Sequence, residues 1–404
     1  MISSEAEAWA CVGADIAGLA GSVLRLSCDG ASWYAVLRCV RRYLLLFDWV
    51  KLVGILSGLS NAVTRNVTLD EGLRRHRDNF LVLRIIAASL VIYGHAAALA
   101  PAVSQADIFM RLGWGSYSGD IAVDVFFLIS GFLVTGSYLR TNDPAKFVKS
   151  RLLRVVPAYF MNLLLLALVY GAILTTESLG EYYRQREVWS YITTNIRYPL
   201  NMVWNLPGVF ESGAKRAAIN GSQWTLPIEV RMYVLTAILG VLGILRSKKA
   251  SVLVLFGLLV VGLAWPVYLP SLPGWSRLAG FFAIGMACYV FKDYIRAGWL
   301  PAVALVCLAV MTRDLPSYTF TFPLAVAAVV FAVAYTTYHI PVIERFGDPS
   351  YGIYLWGWPV QQMVAHYIPA ATLAVHVLLS LLGALVLGYA SWYLVEKRCL
   401  KFKS

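Results

Sequence analysis

One apolar segment, residues 80–100, carries an arginine and a histidine whose spacing suits chemistry. At roughly 100° per residue, Arg84 and His95 return to within about 20° of one helix face, roughly 16 Å apart along the axis. Charged and titratable side chains are costly in a bilayer and usually face a protein interior or a watery cavity. His95 is therefore a candidate general base or a nucleophile. In the structural alternative, Arg84 snorkels to the inner interface and His95 ends the helix at the outer one.

Two aspartates mark the next apolar segment. Asp120 and Asp124 are four positions apart, so a helix would place them on one face. At least one needs a polar partner, and Arg84 is one candidate. Asp124 is a candidate catalytic residue, and the alternative is that it only braces the helix bundle through buried hydrogen bonds.

A glutamate lies near the start of the fourth predicted span, which enters the membrane from the outer side. Glu229 lies just inside a predicted span, at the outer level where His95 is also expected. A carboxylate can orient a catalytic imidazole, so Glu229 or Asp124 is expected to fix His95. The competing interpretation pairs Glu229 with Arg231 or with a neighbouring helix as a structural bridge.

Two arginines precede the third apolar run. Arg151 and Arg154 share a helix face at i, i+3, and Arg84 is expected near the same leaflet. Together these guanidinium groups could hold an anionic group such as a diphosphate by bidentate contacts. The alternative is an ordinary basic cluster that touches lipid headgroups.

Composition defines the elements that must position these residues. The 404 residues are 59% hydrophobic and only 14% charged, with a mean hydropathy of +0.67, which is typical of a polytopic membrane protein. The formal charge of +12 sits in short clusters between apolar runs, which excludes nucleic acid as the partner and favours a lipid bilayer. The six cysteines have no CxxC or metal-ligand spacing and predict neither disulfides nor a metal site.

The predicted fold is all-α, a bundle of about ten transmembrane helices with an N-terminal extension. The extension, residues 1–72, contains a basic and aromatic stretch at 36–56 that fits an interfacial helix, and its acidic start does not resemble a signal peptide. The transmembrane domain is residues 73–404, and basic clusters in alternate loops place both termini in the cytoplasm. The predicted spans are 80–100, 119–138, 155–174, 226–245, 251–269, 276–291, 298–312, 318–337, 350–368 and 371–395.

Six short motifs, in order, resemble the acyltransferase-3 family over residues 72–400. Any one of them is a weak signal, but six in the right order are specific. The chain departs from the family at Gly357, where many members have histidine, and at Arg398, where proline is usual. The matching residues are Arg84 with His95; Asp124 with Phe126, Phe127 and Ser130-Gly131-Phe132; Arg151, Arg154 and Pro157; Trp224, Thr225, Leu226 and Glu229; Ser350, Tyr351, Tyr354 and Leu355; and Ser391, Trp392, Val395, Glu396 and Lys397.

The resemblance implies a membrane-bound O-acyltransferase of the bacterial inner membrane. Its donor would be cytoplasmic acyl-CoA, most often acetyl-CoA in the family, and its acceptor a hydroxyl of a surface glycan or glycolipid such as a lipopolysaccharide or exopolysaccharide; no tightly bound cofactor is implied. The arginines would hold the CoA phosphates while the extended thiol arm reaches His95. Trp224 and Tyr351 are expected to bind substrate. Aromatic residues of the long outer loop, 175–222, either stack on sugars or anchor the loop at the interface.

Two rival functions use the same residues differently. A secondary transporter or flippase would use the intramembrane charges as a pathway, but the sequence shows no internal repeat. An inactive interaction protein would fit the missing histidine at Gly357. Intact Arg84, His95 and Glu229 argue against the second rival.

Overall fold

Long helices make up most of the part of the chain that the structure describes. The structure is a computed structural model, and it describes residues 66–100, 107–199, 201–210, 218–264, 273–336 and 338–403. The expected interfacial helix at 36–56 therefore lies outside the described residues. In chain order the α-helices are α1 (Leu69–Arg74), α2 (Phe80–Leu99), α3 (Ile108–Arg111), α4 (Ser118–Thr141), α5 (Pro144–Leu165), α6 (Leu179–Arg184), α7 (Arg186–Asn195), α8 (Leu226–Val241), α9 (Lys248–Ala264), α10 (Pro273–Val290), α11 (Trp299–Met311), α12 (Tyr318–Thr336), α13 (Pro341–Arg345), α14 (Ser350–Tyr367) and α15 (Leu373–Ser391).

Six of the described helical stretches are long and apolar enough to span a membrane. The predicted helical fold is thereby confirmed with six candidate membrane spans among the described residues, and each of the ten predicted runs overlaps one of the helices; the count of ten spans stays a prediction. The six stretches are Phe80–Leu99, Ser118–Thr141, Pro144–Leu174, Gly221–Val241, Tyr318–Thr336 and Leu373–Lys403.

Helix α5 begins eleven residues earlier than the predicted third span. Asp143 caps its N-terminus by accepting hydrogen bonds from the backbone N–H groups of Ala145 and Lys146, and Pro144 occupies the first helical position, where its missing N–H costs nothing. Arg151 and Arg154 consequently lie within the helix and not in the loop before it. The helix continues through a π-helical turn, Leu166–Tyr170, to Gly171–Leu174.

The described segment before α2 is tied to the loop after α10. Strand β1 (Val67–Thr68) pairs antiparallel with β2 (Arg296–Ala297), and Thr68 and Glu71 form a reciprocal capping box at the start of α1. Asp70 forms ion pairs with Lys292 and Arg74, and these basic neighbours, Lys292 first, lower the pKa of Asp70.

The outer loop is folded over most of its described length. Helices α6 and α7 lie in it and pack on α5 through Tyr182, whose hydroxyl donates to the carbonyl of Ala167, and through the buried ring of Tyr191. These two rings are therefore packing residues. Trp189 remains about half exposed on the same loop.

Helices α4 and α10 form the closest helix pair, and glycines make that approach possible. A Cβ at Gly131 would overlap the carbonyl oxygen of Phe282, and one at Gly285 would overlap the carbonyl oxygen of Leu128. Small residues at such crossings let backbones meet in a membrane, where packing drives helix association. The S-G-F motif thus serves to bring α10 against α4.

We expect Gly131→Ala to destabilise the protein by about 1–3 kcal/mol, because the new methyl group forces the two helices apart. Thermal unfolding of the detergent-solubilised protein measures the effect. Gly257→Ala on α9 is the matched control, since nothing lies within 4 Å of its added Cβ. Equal unfolding temperatures for the two variants would contradict the packing argument.

Candidate active site

Three of the predicted arginines meet in one cavity. Arg84 on α2 and Arg151 and Arg154 on α5 line a cavity of about 120 Å³, which we name the arginine cavity. Its wall is completed by the middle turns of α4, by Glu229 and Tyr233 on α8, and by the first turns of α14. The structure thus brings together the three arginines that were expected near one leaflet, whereas their role in holding a donor stays a prediction.

A carboxylate outside the predicted set anchors two of these arginines. Asp348, just before α14, lies 3.0 Å from Arg84 and 2.5 Å from Arg154, both measured to its Oδ2. The backbone N–H and hydroxyl of Ser350 donate to its other oxygen. Burial alone would raise the pKa of Asp348, but the two guanidinium groups and Ser350 hold it well below its usual value. Arg84 is thus held in a fixed ion pair and does not merely snorkel.

The closing motif of the chain supports the same cluster. Glu396, buried in a π-helical turn at Trp392–Glu396 that continues α15, accepts a hydrogen bond from Arg154 at 3.3 Å and one from the Ser391 hydroxyl. The guanidinium carbon of Arg154 also lies 5.7 Å from the centre of the Trp392 ring. The S-W-x-x-V-E motif therefore positions an arginine of the cavity.

Arg151 differs from its two neighbours. It forms no ion pair with a described carboxylate. Its Nε donates to the Ser150 hydroxyl, and its guanidinium carbon lies 6.0 Å from the ring centres of Phe147 and Tyr233. Its charge is therefore available to a bound anion.

Glu229 lies with the arginines and not with the histidine. The Tyr233 hydroxyl donates a hydrogen bond to its carboxylate, and no described contact joins it to His95. The alternative pairing with Arg231 is also not observed, because Arg231 donates to the backbone carbonyls of Pro227 and Tyr198. If Glu229 acts in catalysis, it acts within the arginine cavity and not by contacting His95.

Tyr351 and Trp224, the predicted substrate-binding residues, lie in different places. Tyr351 lines the arginine cavity, and its hydroxyl donates to the Val155 carbonyl at 3.2 Å. Trp224 lines a second cavity, described below. If both side chains bind a substrate, each of them binds a different substrate.

His95 sits in an aromatic setting near the far end of α2. Its Nε2 shares a hydrogen bond of 3.4 Å with the Tyr117 hydroxyl, and the Trp358 ring packs edge-on at 4.8 Å between ring centres. Its Nδ1 is buried and has no hydrogen-bond partner among the described residues. A tyrosine hydroxyl therefore takes the place in which a carboxylate was expected.

Asp120 and Asp124 find their partner on α10. Arg277 lies 3.0 Å from Asp120 Oδ1 and 3.2 Å from Oδ1 of the fully buried Asp124, the latter without the alignment of a hydrogen bond. Arg84, the candidate partner, is engaged by Asp348 instead. Sequence reasoning missed Arg277, although a lone arginine inside an apolar run, 276–291, is the signal that singled out Arg84.

The second cavity, of about 490 Å³, begins where the first one ends along the chain, since Trp224 lines the second cavity and Thr225 the first. It is lined by residues at or just before the N-terminal ends of α4, α8, α10 and α12: Asp120, Trp224, Arg277 and Tyr318. We name it the aromatic cavity. The arginine cavity extends along α4 from Val123 to Val134, and Asp120, which lines the aromatic cavity, lies about one turn before Val123.

Two polar motifs hold the helix ends between the cavities. The Thr225 and Tyr354 hydroxyls share a hydrogen bond of 2.7 Å, and Tyr354 donates to the Ser222 carbonyl at 2.7 Å. Asn220 donates to the carbonyl of Leu355 at 2.8 Å. The W-T-L-x-x-E and S-Y-x-x-Y-L motifs thus fix α8 to α14.

Fold and site together define a helical membrane protein with a cationic cavity and a separate histidine site. The acyltransferase-3 family, described as an acyltransferase domain, matches residues 78–393, and the chain belongs to this family. The chain is 30% identical over 338 residues to an O-acetyl transferase of Shigella phage Sf6, a match that covers 80% of this chain and 97% of the relative. It is 29% identical over 373 residues to nodulation protein 10 of Rhizobium leguminosarum bv. viciae, covering 81% and 95%. No solved structure matches the chain.

Proposed function

We propose that the protein is an O-acyltransferase that moves an acetyl group from cytoplasmic acetyl-CoA to a glycan hydroxyl at the outer face of the bacterial inner membrane. The observation that carries the proposal is the placement of Arg84 and His95 at opposite ends of α2, with the arginine cavity around the first. The O-acetyl transferase relative supports acetyl as the transferred group.

Charge supports the arginine cavity as the donor site. Arg84, Arg151 and Arg154 line it with one carboxylate, Glu229. Asp348 and Glu396 already pair with Arg84 and Arg154, so the charge that would attract a polyanion such as the phosphates of CoA is chiefly that of Arg151. Arg151 has no acidic partner, and the Nε of Arg84 makes no hydrogen bond. Both arginines can therefore bind a phosphate without giving up an existing bond.

The basic residues of the loops indicate how the protein is oriented in the membrane. If all ten helices cross the bilayer, the basic clusters at 74–77, 140–154, 246–249, 292–296 and 397–403 fall on one side, the cytoplasmic one. The arginine cavity then faces the cytoplasm, where CoA is made, and the aromatic cavity faces outward.

His95 performs the proton transfer in the proposed reaction. Its unprotonated nitrogen accepts the proton of the acceptor hydroxyl as that oxygen attacks the thioester carbonyl. The tetrahedral intermediate collapses with cleavage of the C–S bond, and the proton passes to the departing CoA thiolate. In the covalent variant, a His95 nitrogen attacks the thioester and displaces the CoA thiolate; the acceptor hydroxyl then attacks the acyl-imidazole, the N–C bond breaks, and the freed imidazole takes the hydroxyl proton. Tyr117 holds the imidazole ring through its hydroxyl.

The test is acyl transfer in everted membrane vesicles, with labelled acetyl-CoA outside and the glycans of the producing cell enclosed in the lumen, which the outer face of the membrane lines. We expect label on a glycan and one free CoA thiol for each acetyl group transferred. A transporter or flippase would release no thiol, and that result would overturn the proposal.

Arg151→Ala is expected to raise the KM for acetyl-CoA roughly 10- to 100-fold, because a charge-assisted contact to phosphate is lost. The acceptor KM and the unfolding temperature should change little, since Arg151 has no ion pair to break. Initial rates over a range of acetyl-CoA concentrations measure the effect.

The control is Arg246→Ala, which removes one exposed positive charge on the same side of the membrane. An unchanged donor KM in Arg151→Ala would remove that residue from the donor site.

A further inference from the structure

We propose that the aromatic cavity binds the acceptor, as a neutral, hydroxyl-rich sugar unit held beside Asp120 and Arg277. The inference rests on the proposed function and adds a second, separate substrate site to it. The cavity is lined on one side by aromatic rings and on the other by an ion pair.

The charge of the aromatic cavity separates it from the donor site. Among its described lining residues, Asp120 and Arg277 carry opposite charges and lie 3.0 Å apart, and the buried Asp124 shares Arg277, so the wall carries no excess positive charge. A polyanion gains little there, whereas it is attracted to the arginine cavity. A neutral ligand with many hydroxyls can accept from the guanidinium group and donate to the carboxylate.

The aromatic rings of the cavity supply a surface that complements the apolar faces of a sugar. Trp224 and Tyr318 line the cavity and are partly exposed, and Phe322 packs 5.3 Å from Tyr318 between ring centres. Flat aromatic walls with a few convergent polar groups are the usual composition of small-molecule sites, and sugar rings present apolar C–H faces to such walls. The Tyr318 hydroxyl donates to the Trp114 carbonyl, which fixes its ring.

The cavity is also adjacent to the histidine. Ser116 and Asp120 both line it, and Tyr117, which lies between them in the chain, shares its hydroxyl with His95. A sugar unit in the cavity therefore lies next to the side chain that holds the proposed base. The donor would approach His95 from the arginine cavity.

The cavity can be tested by filling it. Thr319 is exposed and lines the aromatic cavity, while its neighbour Phe320 is exposed but does not line it. Thr319→Trp should block the acceptor without disturbing the core, and Phe320→Trp is the matched control. Trp224→Ala removes one aromatic wall, and Trp224→Phe keeps a ring there.

The experiment measures transfer of labelled acetyl groups from acetyl-CoA to glycolipid and polysaccharide extracts of the producing cell, with acetyl-CoA hydrolysis followed in parallel. We expect Trp224→Ala to raise the extract concentration for half-maximal transfer by roughly tenfold, the loss of about one aromatic contact. Thr319→Trp should raise it at least as much, because the indole ring occupies the cavity. The donor KM and the rate of hydrolysis to free acetate should stay unchanged, and Trp224→Phe should restore most of the acceptor affinity.

Three outcomes separate the hypotheses. If the wild type transfers label and both cavity variants match Phe320→Trp, the acceptor site is elsewhere and the inference fails while the proposed function stands. If the variants raise the donor KM instead, the cavity serves the donor and the inference also fails. If the wild type transfers no acyl group to any extract, the proposed function fails and the inference falls with it.

Discussion

Replacing His95 with glutamine is expected to lower acyl transfer by about 10²- to 10⁴-fold, the usual contribution of a positioned general base. Glutamine can keep a hydrogen bond to the Tyr117 hydroxyl and fill a similar space beside Trp358. It has no nitrogen that accepts a proton near neutral pH. The loss should therefore appear in kcat, while the donor KM and the unfolding temperature stay near those of the wild type.

The measurement compares His95→Gln with His366→Gln in the labelled acetyl-CoA assay at equal expression. His366 is exposed at the end of α14 and contacts only neighbouring rings among the described residues, so its replacement should leave transfer intact. A fully active His95→Gln enzyme would remove the histidine from the mechanism and return it to a role in packing.

The same variant separates the two chemical routes. If His95 accepts the acyl group covalently, wild-type protein quenched in the absence of acceptor carries label, and His95→Gln protein carries none. If His95 is only a base, neither protein is labelled, because the acyl group passes directly from the thioester to the hydroxyl. The covalent route also predicts exchange of label between acetyl-CoA and free CoA without any acceptor.

Helical periodicity and the span boundaries placed the three arginines near one leaflet, but they did not predict that the three line a cavity. Arg84 and Arg154 were each identifiable as cations at one membrane level, and a level shared by two adjacent spans becomes a shared cavity when the spans pack together. The depth of Glu229 could not be obtained in this way. Counting residues from a span boundary assumes a helix direction and tilt that depend on packing against neighbours, which one sequence does not specify.

The ion-pair partners Asp348 and Arg277 could not be predicted from the sequence for a related reason. Asp348 lies in the loop before α14, and in the sequence it looks like any aspartate of a solvent-exposed loop. Its contacts with α2 and α5 exist only in the folded bundle. Arg277 pairs with Asp124 across more than 150 positions of sequence. A single sequence reveals that a buried charge needs a partner, but it does not reveal which of several arginines approaches it.

The Asp124–Arg277 pair gives the second large expected effect. Arg277→Met should cost about 3–5 kcal/mol, since it leaves the fully buried Asp124 carboxylate without a counter-charge. Arg313→Met is the matched control, because the pair of Arg313 with Asp314 is exposed and exposed pairs contribute little. Denaturing-detergent titration of purified protein measures the free energy of unfolding.

A double variant distinguishes stability from function. Asp124→Leu with Arg277→Met removes both charges, so no buried charge remains unpaired and most of the lost stability should return. Transfer to glycan should not return with it, because Arg277 also lines the aromatic cavity. A double variant as unstable as Arg277→Met alone would show that Arg277 stabilises the bundle through Asp120 and not through Asp124. A stable double variant with wild-type acceptor KM would instead limit Arg277 to a structural role.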